Sequence, residues 1–137
     1  MKYAKVYADD VNVGQELPPV VKGPIQQIQL TRYAGASGDF NPIHLDDEFA
    51  RSVGLPGRIL HGLWTMAQVA RAQGELAGDP LALKSLSVQF RGMGVPEQDI
   101  TITSKLKAQA DGEAVFDCEA VQDGNKLVRR GAAVLRI

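Results

Sequence analysis

Between Leu63 and Ala77 the chain reads LWTMAQVARAQGELA. Leu63, Met66, Ala67, Ala70, Gly74 and Ala77 fall on one helical stripe, while Trp64, Val69 and Ala72 leave the first three turns apolar on nearly every side. An ordinary surface helix buries one face, but a helix apolar all round needs burial all round. Gly78, Asp79 and Pro80 stop it, because glycine suits a left-handed cap and proline cannot continue the hydrogen-bond ladder. The rest of the chain has to supply a cover for this helix.

That cover is legible after Leu83. Leu86, Val88 and Phe90 share one face of a strand, and Ile100, Ile102, Leu106 and Ala108 share one face of the next, with Thr101, Thr103, Lys105 and Lys107 turned to water. Asp111-Gly112 and Asp123-Gly124 divide the later runs as tight hairpins do, since glycine takes positive φ without steric cost. Gly92, Gly94 and Pro96 make the first connection longer and irregular. The result is an antiparallel meander of about four strands. Earlier in the chain, residues 27–36 can form a short helix and Val20 to Ile28 an early strand, which Pro24 weakens. One buried helix and a curved sheet make an α+β arrangement with the sheet wrapped around the helix. Its edges invite pairing with a second copy, so a homodimer is expected.

With 137 residues, 45% of them hydrophobic, residues 1–137 read as one domain with its own core. The formal charge of −1 is spread over interspersed acidic and basic residues, which excludes the charge footprint of a nucleic-acid or anionic-membrane binder. The start, MKYAKVYADDVNVG, is charged from its second residue, and no apolar run approaches the roughly 18 residues of a membrane span. A cytoplasmic location is the expectation. Cys118, the single cysteine, can form neither an internal disulfide nor a metal cage and reads as a small half-buried apolar residue.

Chemistry concentrates in SGDFNPIH, residues 37–44, and in His61-Gly62 just before the helix; these hold both histidines of the chain. Two readings of the first group stand side by side. Asp39 and Asn41 favour turns and caps, and Pro42 suits the first position of a helix over PIHLDDEFARSV. Alternatively, Pro42 stiffens the turn and restrains Asn41, so that Asp39 and His44 are held as an acid–base pair. Stiffness matters there because a misplacement of about 1 Å can cost on the order of 100-fold in rate. Neither residue has a nucleophile on a sharp turn beside it, so proton transfer to a water or to a substrate carbon is the natural chemistry. Gly62 stands where free N–H groups and the positive end of the helix dipole converge, a place to stabilise a developing enolate. The alternative for Gly62 is a plain turn into the helix, and His61 reads as a structural histidine bonded to nearby backbone.

The run YAGASGDFNPIHLDDEFARSVGLPGRILHGLWTMA resembles the signature of MaoC-like dehydratases, the (R)-specific enoyl-thioester hydratases with the hot-dog fold. VQFRGMGVPEQDITITSKL is similar to the family's next segment, and the resemblance extends from about Val11 to the C-terminus. It implies a curved antiparallel sheet around one long helix and a dimer, or oligomer of dimers, with an acyl-thioester channel at the interface. It also implies reversible addition of water to a trans-2-enoyl thioester of CoA or acyl-carrier protein, with no metal and no cofactor. By position, Asp39 and His44 are the hydratase dyad, Asn41 orients them and the Gly62 amide receives the thioester carbonyl. Some relatives carry a serine one or two turns into the helix. Ala70 aligns there, so that either Thr65 or Gln68 substitutes or the role is absent, and Thr65 and His61 join the set as candidate substrate contacts. Where relatives have Pro-Gly-Asp, this chain has Pro96-Glu97-Gln98-Asp99.

Two other functions compete. A hot-dog thioesterase would use Asp39 to activate water against the carbonyl carbon, which leaves His44 superfluous. A subunit of a hetero-oligomeric dehydratase would need a hot-dog partner chain, yet has no reason to keep both Asp39 and His44. Arg58, Lys84 and Arg91 are the basic residues placed for a phosphate or carrier contact, with solvated or paired charges as the alternative.

Overall fold

The computed structural model describes residues 8–137, beginning with a short 3-10 turn at Ala8–Asp10. β1 (Val20–Lys22) is cut short before Pro24, which has no N–H to give a ladder. α1 (Gln27–Ser37) follows and ends on Gly38, whose φ of 78° is the left-handed cap only glycine takes freely. PIHLDDEFARSV does not form one helix. Pro42–His44 is a 3-10 turn, and α2 (Asp47–Ser52) starts separately because the Asp46 side chain accepts from Phe49 N and caps it.

α3 (Gly62–Ala77) is the long helix expected from the sequence, ending on Gly78 at φ 67°. Its burial is one-sided, not the all-round burial expected from its apolar composition. Trp64, Thr65, Val69, Ala72, Gln73, Gly74 and Leu76 face inward, whereas Leu63 is 62% exposed and Ala67 also lies open. Turning Trp64, Val69 and Leu76 inward removes more apolar surface from water than turning in a row of alanines. In the single chain the helix is therefore covered on one side and not all round. Gln73 fixes this orientation: it is fully buried and its Nε2 donates to Ser104 Oγ on the sheet at 2.9 Å.

The cover is a five-stranded antiparallel sheet of order β1-β3-β4-β5-β2, with β2 (Leu83–Phe90), β3 (Ile100–Ala110), β4 (Glu113–Gln122) and β5 (Asn125–Arg136). This is the α+β hot-dog arrangement. Both Asp-Gly pairs form two-residue hairpins, with φ of 54° and 76° at Asp111-Gly112 and 46° and 74° at Asp123-Gly124. Ile100, Ile102 and Leu106 are buried as the alternation requires. Ala108 is exposed instead, because the β3–β4 register shifts between Leu106 and Ala108, and such a shift re-aims every residue beyond it. Cys118 is 1% exposed in the core, and burial pushes its thiol up to about 11, so it packs as an inert apolar group.

β4 and β5 approach closely beside a second irregularity, where Arg130 takes a φ of 48°. A Cβ on Gly131 would sit 2.6 Å from the Cys118 carbonyl oxygen. Backbone in a paired strand cannot yield as a flexible side chain can. Gly131→Ala is therefore expected to cost about 3 kcal/mol or more, read in urea unfolding as a lower midpoint with an unchanged slope.

The loop from residue 91 to 99 returns to the start of α3. Gln122 grips it from β4, accepting from Val95 N at 2.7 Å and donating to Val95 O at 2.9 Å. Asn125 Nδ2 donates to Met93 O at 3.2 Å, and Gly94 O accepts Leu60 N at 2.8 Å. Farther along, Glu97 holds a φ of 68°, a conformation that favours glycine.

Candidate active site

Asp39, Asn41 and His44 are set by two consecutive side-chain turns. Asn41 N donates to Asp39 Oδ1 at 3.3 Å, and Ile43 N donates to Asn41 Oδ1 at 3.2 Å. His44 N then closes the turn on Asn41 O at 3.0 Å. Pro42 occupies the first position of this turn, where its missing N–H costs nothing. The turn reading holds, and the same turn brings Asp39 and His44 face to face. Its stiffness leaves Asp39 Oδ2 facing His44 Nε2 at 3.8 Å.

The state of His44 follows from its other nitrogen. Nδ1 lies 2.8 Å from Ile59 O. A carbonyl only accepts, so Nδ1 carries the proton, and in the neutral ring Nε2 presents a lone pair toward Asp39. The 3.8 Å gap is too long for a direct hydrogen bond and suits one bridging water. His44 is 7% exposed, whereas half of the Asp39 side chain is exposed.

His61 caps α3 and is 1% exposed. Its Nε2 lies 3.1 Å from Asp39 O, its ring stacks on His44 with centroids 3.8 Å apart and planes 24° apart, and Tyr33 meets it edge-on at 4.7 Å. Nδ1 is buried without a hydrogen-bond partner. Protonating it would bury an unpaired N–H, and burial above all, with the nearby His44 adding, holds the His61 imidazole below its ordinary range; the bond to the Asp39 carbonyl opposes this. As pH falls below about 6.5, the unfolded chain binds a proton at His61 that the native chain refuses. Stability is therefore expected to decline with falling pH until the native ring also protonates. His61→Phe should remove that part of the slope in thermal melts across the acidic range.

Donor atoms of Asp39, His44 and His61 all lie within 4.8 Å of one another, close enough to raise the question of a cation. The stacked rings argue against one, because their in-plane lone pairs run side by side and do not converge. Two of the four ring nitrogens are also committed to carbonyls.

A cavity of about 180 Å³ opens in front of His44, lined by Ile59, Gly62, Thr65, Phe90, Met93 and Gly94 among others. Thr65 therefore lies at the cavity, while His61 is not among its walls; Ala70 and Gln68, the other positions weighed on the helix, are half-buried and also outside its lining. Gly62 is the first residue of α3, and the first amide bonded within the helix is Thr65 N to His61 O at 3.1 Å. The N–H groups ahead of it form the open, positive end of the helix dipole beside the cavity. A larger space of about 470 Å³, lined by Val11, Leu17, Leu76, Phe116 and Leu135, lies toward the other end of α3. Of the basic residues considered, Arg58 pairs with Asp47 at 3.1 Å and Lys84 pairs with Glu113, while Arg91 is exposed next to the cavity residues Phe90 and Gly92. Hydrogen bonds from Arg58 hold the Asp47 carboxyl below its ordinary range.

The sequence did not disclose the His44–His61 stack, the Ile59 carbonyl or the return of Phe90 and Met93. The one available signal was that both histidines fell within the same short section.

A family model described as "MaoC like domain" matches residues 10–126. The fatty acid synthase subunit beta of Aspergillus oryzae is 38% identical over 105 residues, 74% of this chain and 5% of that protein. The peroxisomal enoyl-CoA hydratase 2 of Arabidopsis thaliana is 35% identical over 102 residues, 73% of this chain and 32% of that protein. The chain thus spans only a minor part of these curated relatives. Among solved structures, a MaoC-like dehydratase superposes with a TM-score of 0.88 at 32% identity, over 94% of this chain and 41% of that one. The (R)-hydratase from A. caviae superposes with a TM-score of 0.83 over 95% of this chain and 99% of that one; at 22% identity it bears on the fold alone. No helix among the described residues is long and apolar enough to cross a membrane.

Proposed function

Because the chain belongs to the MaoC-like dehydratase family, we propose that it reversibly hydrates trans-2-enoyl thioesters to (R)-3-hydroxyacyl thioesters, with Asp39 and His44 acting through one water. The observation that carries this reading is the 3.8 Å gap between Asp39 Oδ2 and Nε2 of His44, whose other ring nitrogen lies 2.8 Å from Ile59 O. A water held there donates one proton to each. As its oxygen bonds to C3, the dyad takes a proton from it, the C2–C3 double bond shifts electron density onto the thioester oxygen, and the Gly62 N–H receives that oxygen. The dyad then returns one proton to C2 on the same face, so that water is added and nothing else is consumed. Dehydration is the reverse. Thr65 lies on the cavity wall with its hydroxyl donating to His61 O at 3.4 Å, and is the helix residue placed to stand in for the hydroxyl that the position aligned with Ala70 lacks.

The cavity of about 180 Å³ holds the reacting end of a substrate and little more, since sites for whole drug-sized ligands run to about 300–1,000 Å³. Phe90 and Met93 on its wall are 49% and 52% exposed, and Leu63 and Phe40, next in sequence to Gly62 and Asp39, are 62% exposed each. Among the described residues β2 also ends the sheet, with one edge unpaired. These features support a homodimer in which a second copy covers the apolar rim and extends the channel. The thioester carrier, CoA or acyl-carrier protein, stays outside the cavity.

The test is incubation of the purified chain with trans-2-enoyl-CoA substrates of increasing length, with the enoyl absorbance, free thiol and product chirality followed together. Loss of absorbance without thiol, giving the (R)-alcohol, is the expected result. Release of free CoA would favour a thioesterase. Inactivity as a homodimer that is relieved by adding another hot-dog chain would make this a subunit of a hetero-oligomeric dehydratase.

A further inference from the structure

We infer that His61 is a positioning residue of this site, one neutral side chain that ties the Asp39 main chain to the His44 ring and so fixes the spacing of the proton-transferring pair. The inference rests on the reading of Asp39 and His44 as that pair.

Three observations converge on it. Asp39 belongs to an exposed turn, and its carboxylate is held within that turn only by Asn41 N at 3.3 Å. The tie that reaches it from the helix is His61 Nε2, 3.1 Å from the Asp39 carbonyl. The same imidazole lies flat against His44 at 3.8 Å, and that ring is anchored on its far nitrogen by Ile59 O at 2.8 Å. His61 is itself fixed, as the residue preceding α3 and by the edge of Tyr33 from α1. Movement of the Asp39 main chain or of the His44 ring therefore has to displace a ring that is 1% exposed.

The groups that face His61 are His44, the Asp39 carbonyl and carboxylate, and Tyr33. Because a carbonyl can only accept, His61 Nε2 must carry the proton. The other nitrogen, buried and without a partner, needs none. A neutral ring in this tautomer satisfies the contacts to Asp39 O, His44 and Tyr33, whereas a cation would set a second positive group against His44 whenever that ring takes up the proton of the reaction. A plain core histidine would have no need to touch both halves of the pair.

The experiment compares the wild-type chain, Asp39→Asn, His61→Phe and His61→Ala in the hydration of one enoyl-CoA, with kcat, KM and the folded fraction measured for each. His61→Phe keeps a ring between Tyr33 and His44 but cannot donate to Asp39; His61→Ala loses both contacts. In each, kcat is expected to fall at least about tenfold, as a small misplacement does, with KM within about threefold of wild type. Imidazole added to His61→Ala should restore turnover saturably, and 1-methylimidazole, which can stack but has no N–H, should not. If His61→Ala does not fold, His61→Phe, close in volume, decides the question. The inference is overturned if His61→Phe keeps kcat within about threefold, if the losses match the loss of folded protein, or if both additives rescue equally. A wild type without hydratase turnover, or an active Asp39→Asn, overturns the reading of the pair and this inference with it. An inactive Asp39→Asn beside an active His61→Phe overturns only the role of His61.

Discussion

Asp39→Asn is expected to lower hydration of a trans-2-enoyl thioester by about 1,000-fold, within the range of general acid–base catalysis, while the chain melts like wild type. The two oxygens of Asp39 do different jobs. Oδ1 accepts Asn41 N at 3.3 Å and holds the turn, a role the amide oxygen of asparagine can fill. Oδ2 faces His44 Nε2 at 3.8 Å, and an amide NH2 there donates where a proton acceptor is needed. Because half of the side chain is exposed, the stability change should stay within about 0.5 kcal/mol. His44 should behave differently. His44→Ala leaves the Ile59 carbonyl without its donor and removes the ring stacked on His61, so it should lose both turnover and about 1–3 kcal/mol of stability. His44→Gln, which can still donate, separates the two effects. Wild-type turnover in Asp39→Asn or His44→Gln would refute the assignment, and initial-rate assays beside thermal melts decide it.

The second large effect concerns a backbone atom. Gly62→Pro should reduce kcat by roughly 100- to 1,000-fold, the effect of one lost oxyanion donor, and leave the helix standing. The substitution suits the geometry. Gly62 is the first residue of α3, where proline is well tolerated, and it does not use left-handed backbone. His61 before it has φ −64° and ψ 131°, the extended conformation that a residue preceding proline requires. The N–H is thus deleted with little strain. Gly62→Ala is the control: its Cβ would meet the Phe90 ring at 3.4 Å, an ordinary contact, and it keeps the donor. Turnover that is equal in the two variants would remove Gly62 N–H from the mechanism.

These results bear on how far residue patterns reach. The Asp-Gly hairpins and the glycine and proline that end α3 were readable because φ preferences are properties of single residues. The spacing of Asp39 and His44 was readable for a similar reason: one stiff turn carries both. The all-round burial expected of α3 is not met within the single chain. Periodicity marks which residues are apolar but not which apolar residues are largest, and burial followed Trp64, Val69 and Leu76. Ala108 was misread because a register shift is decided by the partner strand.

The sequence by itself determined where the long helix ends, the two tight hairpins and the turn that carries Asp39 and His44, since each follows from local dihedral limits and short-range hydrogen bonds. Only the tertiary structure decided that Ile59 O fixes the tautomer of His44, that His61 joins His44 to the Asp39 backbone, and that Phe90 and Met93 return to the mouth of α3. Those contacts join residues far apart in the chain. Their formation depends on strand register, on the grip of Gln122 on Val95 and on which face of α3 meets the sheet, and none of these is a property of neighbouring residues.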